Sequence, residues 1–307
     1  MSKATKTKKK NPLIRVIAAL LIIVIAGGAS YIGSKTFFTH KFKAEKEAAA
    51  KKEAEELAAS IKDQYVTCIR VGDFVALRVL DTKQNKMTIV CMRPDSDLFE
   101  YDEEGNGEKM KVIVNNIENA YGVNISGYED FNQEAFVNLI NEGKSFTANL
   151  PYPVSFRDMN QMKVNMEAGE TTMNGNQSWG VLSGKGMYEE GNADAFIEGA
   201  ESFIAGYVTA IFTDTDEETL ADYVKTIYKN GSSDIEYSEI ATYVNIAAKL
   251  KPEDISIVSL EGKMNGSTFE ADIDAAKDLI SDIAEGKAVG KSVSNWTGST
   301  EDTEEAD

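Results

Sequence analysis

The stretch that decides the fold is residues 73–95, DFVALRVLDTKQNKMTIVCMRPD. Within it, Asp73–Leu80 and Lys86–Met92 are runs rich in β-branched and other apolar residues, which favour strands. The polar cluster between them, DTKQN at 81–85, has the residues of a tight turn, so the two runs are predicted to form an antiparallel hairpin. Tyr65–Val71 is a third run of the same kind and predicts a strand just before the hairpin.

Beyond the hairpin, strand patterns alternate with segments of helical periodicity. Further strands are predicted at Met162–Met166 and Asp254–Leu260, and helices at Val112–Ala120, Gln133–Asn141, Ala193–Phe212, Glu217–Tyr228, Tyr237–Leu250 and Asp272–Ala284. Strands interspersed with helices predict an α/β domain in which helices pack on a sheet in two or three layers. We place this domain at residues 65–286.

The N-terminus has the pattern of a membrane anchor. Val16–Ile32 contains no charged residue and is long enough to cross a bilayer core, which takes about 17–25 apolar residues. Six basic residues precede it, so the positive-inside tendency predicts a cytoplasmic tail at 1–15, a single transmembrane helix at 16–33 and an exported remainder. A signal peptide cleaved in the Ala-Gly-Gly-Ala-Ser stretch is the alternative.

Two segments outside the domain contain few large apolar side chains that could form a core. Residues 34–64 are rich in Ala, Glu and Lys, the strongest helix formers, and predict a solvated helical stalk between the membrane and the domain. Residues 287–307 have almost no apolar content, and five of the last seven are acidic, so we expect a disordered acidic tail there.

Composition excludes several classes of function. The net charge is −18 and residues 1–33 contribute +6, so the rest of the chain carries −18 minus 6, or −24, which argues against nucleic-acid binding. The only histidine is His40, which excludes histidine-ligated zinc sites and Ser-His-Asp triads within the domain. The two cysteines, Cys68 and Cys91, are either bridged or two buried thiols.

Carboxylates are the remaining candidates for chemistry. Asp73 begins one predicted strand and Asp95 follows the end of another. If the two strands are neighbours, both carboxylates lie at one sheet edge, where they can hold a Mg²⁺ ion that bridges phosphate oxygens. The alternative is that both are ordinary turn residues at strand ends.

Several segments in the same order resemble the LytR-CpsA-Psr (LCP) family. They are the 73–95 stretch, NIENAYGVNISGY at 116–128, AGETTMNGNQ at 168–177 and IVSLEG at 257–262, and the order of basic tail, span, stalk and exported domain is also similar. The resemblance covers about Thr67 to Glu285. It implies a mixed central sheet flanked by helices, and an activity that transfers glycopolymers from a polyprenyl pyrophosphate carrier to peptidoglycan.

The resemblance also implies roles for individual residues. Asp73 and Asp95 match the aspartates that hold Mg²⁺, Asp95 and Arg93 match the catalytic pair, and Arg93, Lys185 and Gln177 match the substrate-binding set. The chain departs from the family at several of its arginines. It has Arg93-Pro94-Asp95 where the family has Pro-Arg-Asp, it has Ser183 and Lys185 where the family has two arginines, and residues 191–198 contain no basic residue.

These departures favour a degenerate LCP-like module of cell-envelope polymer assembly. Such a module binds polyprenyl pyrophosphate with weak or no phosphotransferase activity. The alternatives are an active divergent phosphotransferase and an unrelated anchored surface-binding domain. The implied partners are the cytoplasmic membrane, a polyprenyl-linked glycopolymer and peptidoglycan, with no nucleic acid, and Mg²⁺ is the implied cofactor.

Overall fold

The computed structural model describes residues 63–296, with gaps at 95, 100–107, 144, 159, 184–192, 214–215, 217, 220–230, 236–245, 248 and 266–267. The chain divides into two units, 1–61 and 62–307. The predicted basic tail, the predicted span and nearly all of the predicted stalk therefore lie outside the described residues, as does most of the helices predicted at 217–228 and 237–250.

The centre of the domain is a seven-stranded sheet with strand order β13-β10-β3-β2-β1-β4-β9. Its strands are β1 Gln64–Val71, β2 Phe74–Asp81, β3 Lys86–Met92, β4 Gly127–Phe131, β9 Ser232–Ser233, β10 Ile255–Ser259 and β13 Lys291–Ser292. Strands β1, β2 and β3 are antiparallel neighbours, whereas β4 runs parallel to β1 and β10 runs parallel to β3. The sheet is therefore mixed, as the sequence resemblance implied.

Five α-helices and three two-stranded sheets complete the described part of the chain. The helices are α1 Glu108–Tyr121, α2 Gln133–Glu142, α3 Gly175–Leu182, α4 Ala193–Phe212 and α5 Ile273–Ala284. The small sheets pair β5 Phe146–Leu150 with β8 Gly169–Met173, β6 Val154–Arg157 with β7 Lys163–Met166, and β11 Gly262–Asn265 with β12 Thr268–Ala271. The helices predicted at 112–120, 133–141, 193–212 and 272–284 are all present.

Turn chemistry explains the predicted β2–β3 hairpin. The Asp81 carboxylate accepts hydrogen bonds from the backbone N–H groups of Lys83 (2.9 Å) and Gln84 (2.8 Å), which closes the chain on itself. Asn85 then takes a left-handed φ of 55°, a conformation that asparagine tolerates better than most residues. The two strands pair from Asp81–Lys86 to Val75–Met92, so the register of the hairpin is set at this turn.

Helices pack on both faces of the sheet. On one face, buried Cys68 and Leu77 belong to a core that includes Ile113 and Ile117 of α1 and Ala276 of α5. On the other face, the rings of Phe74 and Phe196 of α4 meet edge to face, with centroids 6.4 Å apart. Since neighbouring residues of a strand point to opposite faces, β2 contributes side chains to both cores. The architecture is three layers, helix–sheet–helix.

Helix α4 is the most apolar helix in the described residues. It is 20 residues long with a window of mean hydropathy 1.3, values that a membrane-spanning helix also has. However, 56% of that window is buried inside the protein, and Phe203 of α4 meets Phe146 of β5 edge to face, with ring centroids 5.3 Å apart. These contacts give α4 the surroundings of a core helix of the domain.

The C-terminal segment requires a correction over residues 287–296. The sequence assigned them to a disordered tail, but Lys291–Ser292 form strand β13 at the edge of the central sheet, with Lys291 opposite Ile257 of β10. Val293 is buried, and the Lys291 ammonium lies 4.9 Å from the centre of the Trp296 ring. A two-residue strand has no detectable periodicity, which is why the pattern missed it. Residues 297–307 lie outside the described residues.

The two cysteines are free and buried. Cys68 on β1 lies opposite Leu77 on β2, which in turn lies opposite Val90 on β3. Cys91 is therefore two strands away from Cys68 and on the opposite face of the sheet, a placement that excludes a disulfide between them. Burial raises the pKa of the Cys68 thiol to about 12, and burial also raises the pKa of Cys91 far above its ordinary value.

We therefore predict that neither thiol reacts in the folded protein. Ellman's reagent at pH 8 should label neither Cys68 nor Cys91 within minutes, because the reagent attacks the thiolate and burial disfavours that form. After unfolding in guanidinium chloride without reductant, both cysteines should react. A fast-reacting thiol in the native protein would contradict the burial of the cysteines. The loss of both titratable thiols after unfolding would contradict the strand register, because a Cys68–Cys91 disulfide consumes two thiols.

Candidate functional site at one end of the sheet

Two predicted site residues, Asp73 and Arg93, lie at one end of the central sheet. Strand β1 ends at Val71 and β2 begins at Phe74, so Gly72 and Asp73 form a two-residue turn between them. On the next strand, Met92 pairs with Val75 at the end of the β2–β3 ladder. Arg93 follows directly, and it therefore lies beside the turn that carries the exposed Asp73 side chain. The structure thus brings Asp73 and Arg93 to the same sheet end.

Helix α3 ends against the same turn. Gly72 has a φ of +61°, and a Cβ atom there would lie only 2.7 Å from the Cα of Ser183, the residue that follows α3. The close approach places Ser183 beside Asp73. The hydroxyl oxygen of Ser183 is buried and has no hydrogen-bond partner among the described residues. Lys185 follows two residues later in the chain and lies outside the described residues.

In the described part of the chain, the guanidinium of Arg93 contacts the side chains of Asp194, Met264 and Phe269. Nη1 donates a hydrogen bond to a carboxylate oxygen of Asp194, at the start of α4, and the two residues form an ion pair. Nη2 lies 3.4 Å from the Met264 sulfur, and Cζ lies 4.7 Å from the centre of the Phe269 ring. The Arg93 side chain is 13% exposed, whereas that of Asp194 is 66% exposed. The arginine charge is therefore already compensated by an acid.

Helix α4 carries further carboxylates in addition to Asp194. Asp194, Glu198 and Glu201 are spaced four and three residues apart, which places them along one face of the helix. Glu201 accepts a hydrogen bond from the hydroxyl of Ser259 on β10. Burial raises the pKa of Glu201, and the nearby Glu198 carboxylate adds to this, while the Ser259 hydrogen bond and Lys291 act in the opposite direction. This side of the sheet end is consequently acidic.

The other arginines of the domain are also engaged. Arg70 of β1 makes a two-pronged ion pair with Asp130 of β4, with N···O distances of 2.8 and 2.6 Å. Arg78 of β2 donates to Glu129 (2.8 Å), and Arg157 donates to the Gln161 carbonyl oxygen (2.8 Å). With Arg93 held by Asp194, every arginine in the described residues has an acceptor within the domain.

The remaining predicted site residues have separate outcomes. Asp95 and Lys185 lie outside the described residues, so their roles stay predictions. The Gln177 side-chain oxygen accepts from the Asn174 backbone N–H (3.0 Å), and the Gln177 N–H donates to the Asn174 side chain. This reciprocal pair is a capping box at the start of α3. The predicted substrate-binding role of Gln177 is not tested by this contact and also stays a prediction.

Sequence reasoning missed Asp194. The residue was part of a segment noted only for its lack of basic residues, and its partner Arg93 is 101 residues away along the chain. The one local signal is its position in the first turn of α4, where an acid is favoured by the helix dipole. That signal accounts for the acid without predicting its partner.

The described residues do not by themselves form a metal site. No group of three histidine, cysteine, aspartate or glutamate residues with the geometry to hold a metal occurs among them. Of the predicted Mg²⁺ ligands only Asp73 is described, and a single exposed carboxylate does not make the set of oxygen ligands that Mg²⁺ requires. We therefore derive no chemical step through a metal.

The raised pKa of Glu201 predicts how its substitution changes stability. The folded protein favours the protonated carboxyl, so the stabilising contribution of Glu201 is present below the ordinary glutamate pKa, about 4.3, and is lost as the pH rises through the higher native pKa. As the pH rises from about 4 to about 8, the free energy of unfolding should therefore fall less in Glu201→Gln than in the wild type. Urea unfolding of the wild type and Glu201→Gln across this range measures the effect, with Glu167→Gln, the same substitution at an exposed position, as the matched control.

Gly72→Ala tests the packing of the turn against α3. The substitution combines a left-handed φ, which costs about 1–2 kcal/mol, with a Cβ that overlaps the Ser183 backbone, which costs about 1–3 kcal/mol more. Gly122→Ala is the matched control, since Gly122 has a φ of +70° with no atom within 4 Å of the added Cβ. Chemical unfolding should show the larger loss at Gly72, and equal losses would contradict the close contact.

No protein-family model and no curated protein matches the chain. Solved structures do match it. TagV from B. subtilis is 14% identical with a TM-score of 0.58 and covers 75% of this chain and 100% of its own. Protein gbs0355 from Streptococcus agalactiae, also 14% identical, has a TM-score of 0.57 over 78% of this chain and 92% of its own. EF0465 from Enterococcus faecalis, described as a transcriptional regulator, is 12% identical with a TM-score of 0.53 over 73% and 88%.

These likenesses concern the fold. At such identities the matching structures share the course of the backbone with this chain, and they carry no statement about its activity. TagV is a protein of the LCP family. The fold likeness to TagV argues against the alternative that the domain is an unrelated anchored surface-binding domain. The mixed seven-stranded sheet between two helical layers is the LCP-like α/β fold that the sequence segments predicted.

Proposed function

We propose that this chain is a membrane-anchored, extracytoplasmic protein of cell-envelope polymer assembly. In this proposal the sheet end that holds Arg93 binds the pyrophosphate of a polyprenyl-linked glycopolymer weakly and transfers the polymer to peptidoglycan slowly or not at all. The LCP-like fold supports the general assignment. The pairing of Arg93 with Asp194 is the observation that carries the reduced activity.

Three features support a pyrophosphate site at this position. A guanidinium presents planar pairs of N–H donors that match phosphate oxygens. Arg93 lies at the sheet end beside the Asp73 turn, and the segment that contains Lys185 leaves α3 at Ser183, against the same turn. Under this proposal Arg93 and Lys185 hold the phosphates, Gln177 contributes to substrate binding, and Asp95 acts with Arg93 at the reacting phosphorus.

The charges around Arg93 support a low affinity for pyrophosphate. A hydrogen bond to a charged group contributes about 1.5–3 kcal/mol, so Ser183, which stands in place of a family arginine, removes a contribution of that size. Asp194 occupies one nitrogen of the remaining arginine, and Glu198 and Glu201 extend the negative charge along α4. A dianionic pyrophosphate would approach an acidic surface, which lowers both its affinity and its rate of association.

Mg²⁺ belongs to this proposal as a cofactor held by Asp73 and Asp95. When bound, the cation would offset the negative charge on the pyrophosphate, which is the chemistry a divalent ion supplies in phosphoryl transfer. The anchor also belongs to the proposal, with residues 1–15 in the cytoplasm, residues 16–33 in the membrane and the domain outside. Under this arrangement the site faces the compartment in which peptidoglycan is found.

An active, divergent phosphotransferase is the second candidate. The observation that favours it is the shared position of Asp73 and Arg93 at one sheet end, since an enzyme of this kind needs a carboxylate and a cation close together. The two candidates differ in turnover, whereas both predict that the polyprenyl pyrophosphate binds.

The test measures binding and turnover on one preparation. Full-length protein in detergent micelles with MgCl₂ should bind undecaprenyl pyrophosphate, and Arg93→Gln should weaken the binding about tenfold, because one charge-assisted contact to phosphate is lost. Arg157→Gln is the matched control, since Arg157 lies in the β6–β7 hairpin and donates to a backbone carbonyl within it. Its affinity should equal that of the wild type.

Transfer of a lipid-linked glycopolymer to peptidoglycan oligomers should stay at the level of a protein-free control. Turnover that disappears in Arg93→Gln would favour the second candidate over the first. An absence of lipid binding in a folded wild-type protein would contradict both candidates.

A further inference from the structure

In the Arg93–Asp194 ion pair, the arginine side chain is mostly buried and the aspartate side chain is mostly exposed. The Arg93 guanidinium is held on its other sides by the Phe269 ring and the Met264 sulfur, and its side chain is 13% exposed. The Asp194 side chain is 66% exposed and lies in the first turn of α4, so a rotation about its χ1 bond carries the carboxylate into water. The acid is therefore the more accessible member of the pair, and the arginine the more enclosed one.

The contact also has the chemistry of a ligand contact. A carboxylate oxygen and a phosphate oxygen accept the same kind of charge-assisted hydrogen bond from a guanidinium. Nη1 of Arg93 donates to Asp194 in the manner in which it would donate to a phosphate. Since one N–H cannot make a full hydrogen bond to both, an anion that uses this donor has to displace the carboxylate.

We propose that Asp194 is a built-in competitor for the anion-binding arginine. Its carboxylate occupies Arg93 in the unliganded protein, and a pyrophosphate group binds Arg93 only after Asp194 has rotated away. The inference rests on the proposed function, because it takes Arg93 as a phosphate-binding group. It adds a specific cause for weak binding. The apparent affinity for pyrophosphate is reduced in proportion to the fraction of molecules in which Asp194 is not bound to Arg93.

A structural role is the competing explanation. In that case the pair serves to fasten the first turn of α4 to the β11–β12 hairpin, through Arg93 and its contacts with Met264 and Phe269. Removal of the carboxylate would then lower the stability of the domain and leave the affinity for anions unchanged or weaker. The two explanations thus differ in one result, because only the first predicts that removal of the carboxylate raises the affinity for anions.

The experiment uses the full chain in detergent micelles and inorganic pyrophosphate as the probe. Isothermal titration calorimetry compares the wild type with Asp194→Asn, which removes the charge and keeps the shape of the side chain. We expect Asp194→Asn to bind pyrophosphate at least tenfold more tightly. The matched control is Asp274→Asn, the same substitution at an exposed first-turn position of α5, which should change the affinity less than twofold.

Arg93→Gln, alone and combined with Asp194→Asn, separates the outcomes. The gain from Asp194→Asn should vanish in the double variant, and a gain that persists there would overturn the inference, since it would reflect net charge alone. If pyrophosphate binds the wild type and Arg93→Gln weakens it while Asp194→Asn has no effect, the inference fails and the proposed function stands. If no variant binds, both fail. Asp194→Ser, which is too short to reach Arg93 and suits a helix first turn, replaces Asp194→Asn if that variant does not fold.

Discussion

The close contact between the β1–β2 turn and the end of α3 is the constraint on which the sheet end depends. Only a residue without a Cβ atom fits at position 72, where the Ser183 backbone approaches the turn and φ is positive. This contact holds the turn that carries Asp73 against the end of α3 at Ser183. Arg93 follows the end of the β2–β3 ladder, whose register is set at the turn that Asp81 closes, and that register places it beside the β1–β2 turn. Local backbone geometry thus determines which charged groups share the site.

Charge balance is the second theme of the structure. In the described residues each arginine has an acceptor within the domain, and the two arginines on β1 and β2 are neutralised by acids of β4. Ion pairs of this kind contribute modestly to stability when they are partly exposed. Their larger consequence is that every arginine in the described residues already has an acceptor with which an anionic ligand would compete. This competition is the physical basis of the weak binding that we propose for the sheet end.

The sequence predicted the elements that depend on local pattern and missed those that depend on distant contacts. The β2–β3 hairpin was predictable because its strands and its turn lie within one stretch of the chain, and α4 was predictable from its long apolar run. The Asp194 contact was not, because only the packing of α4 against the sheet end brings it to Arg93. Strand β13 was missed since two residues paired at an edge leave no periodicity, and the opposite facing of the cysteines required the register.

The central proposal is that this sheet end is a weak site for the pyrophosphate of a polyprenyl lipid, with Arg93 as its anion-binding group. Mass spectrometry of the lipids that co-purify with the full-length protein from its native membranes tests this most directly. We expect polyprenyl phosphate or pyrophosphate to be enriched with the wild type and depleted with Arg93→Gln. Enrichment that is equal in both proteins, or absent from both, would contradict it.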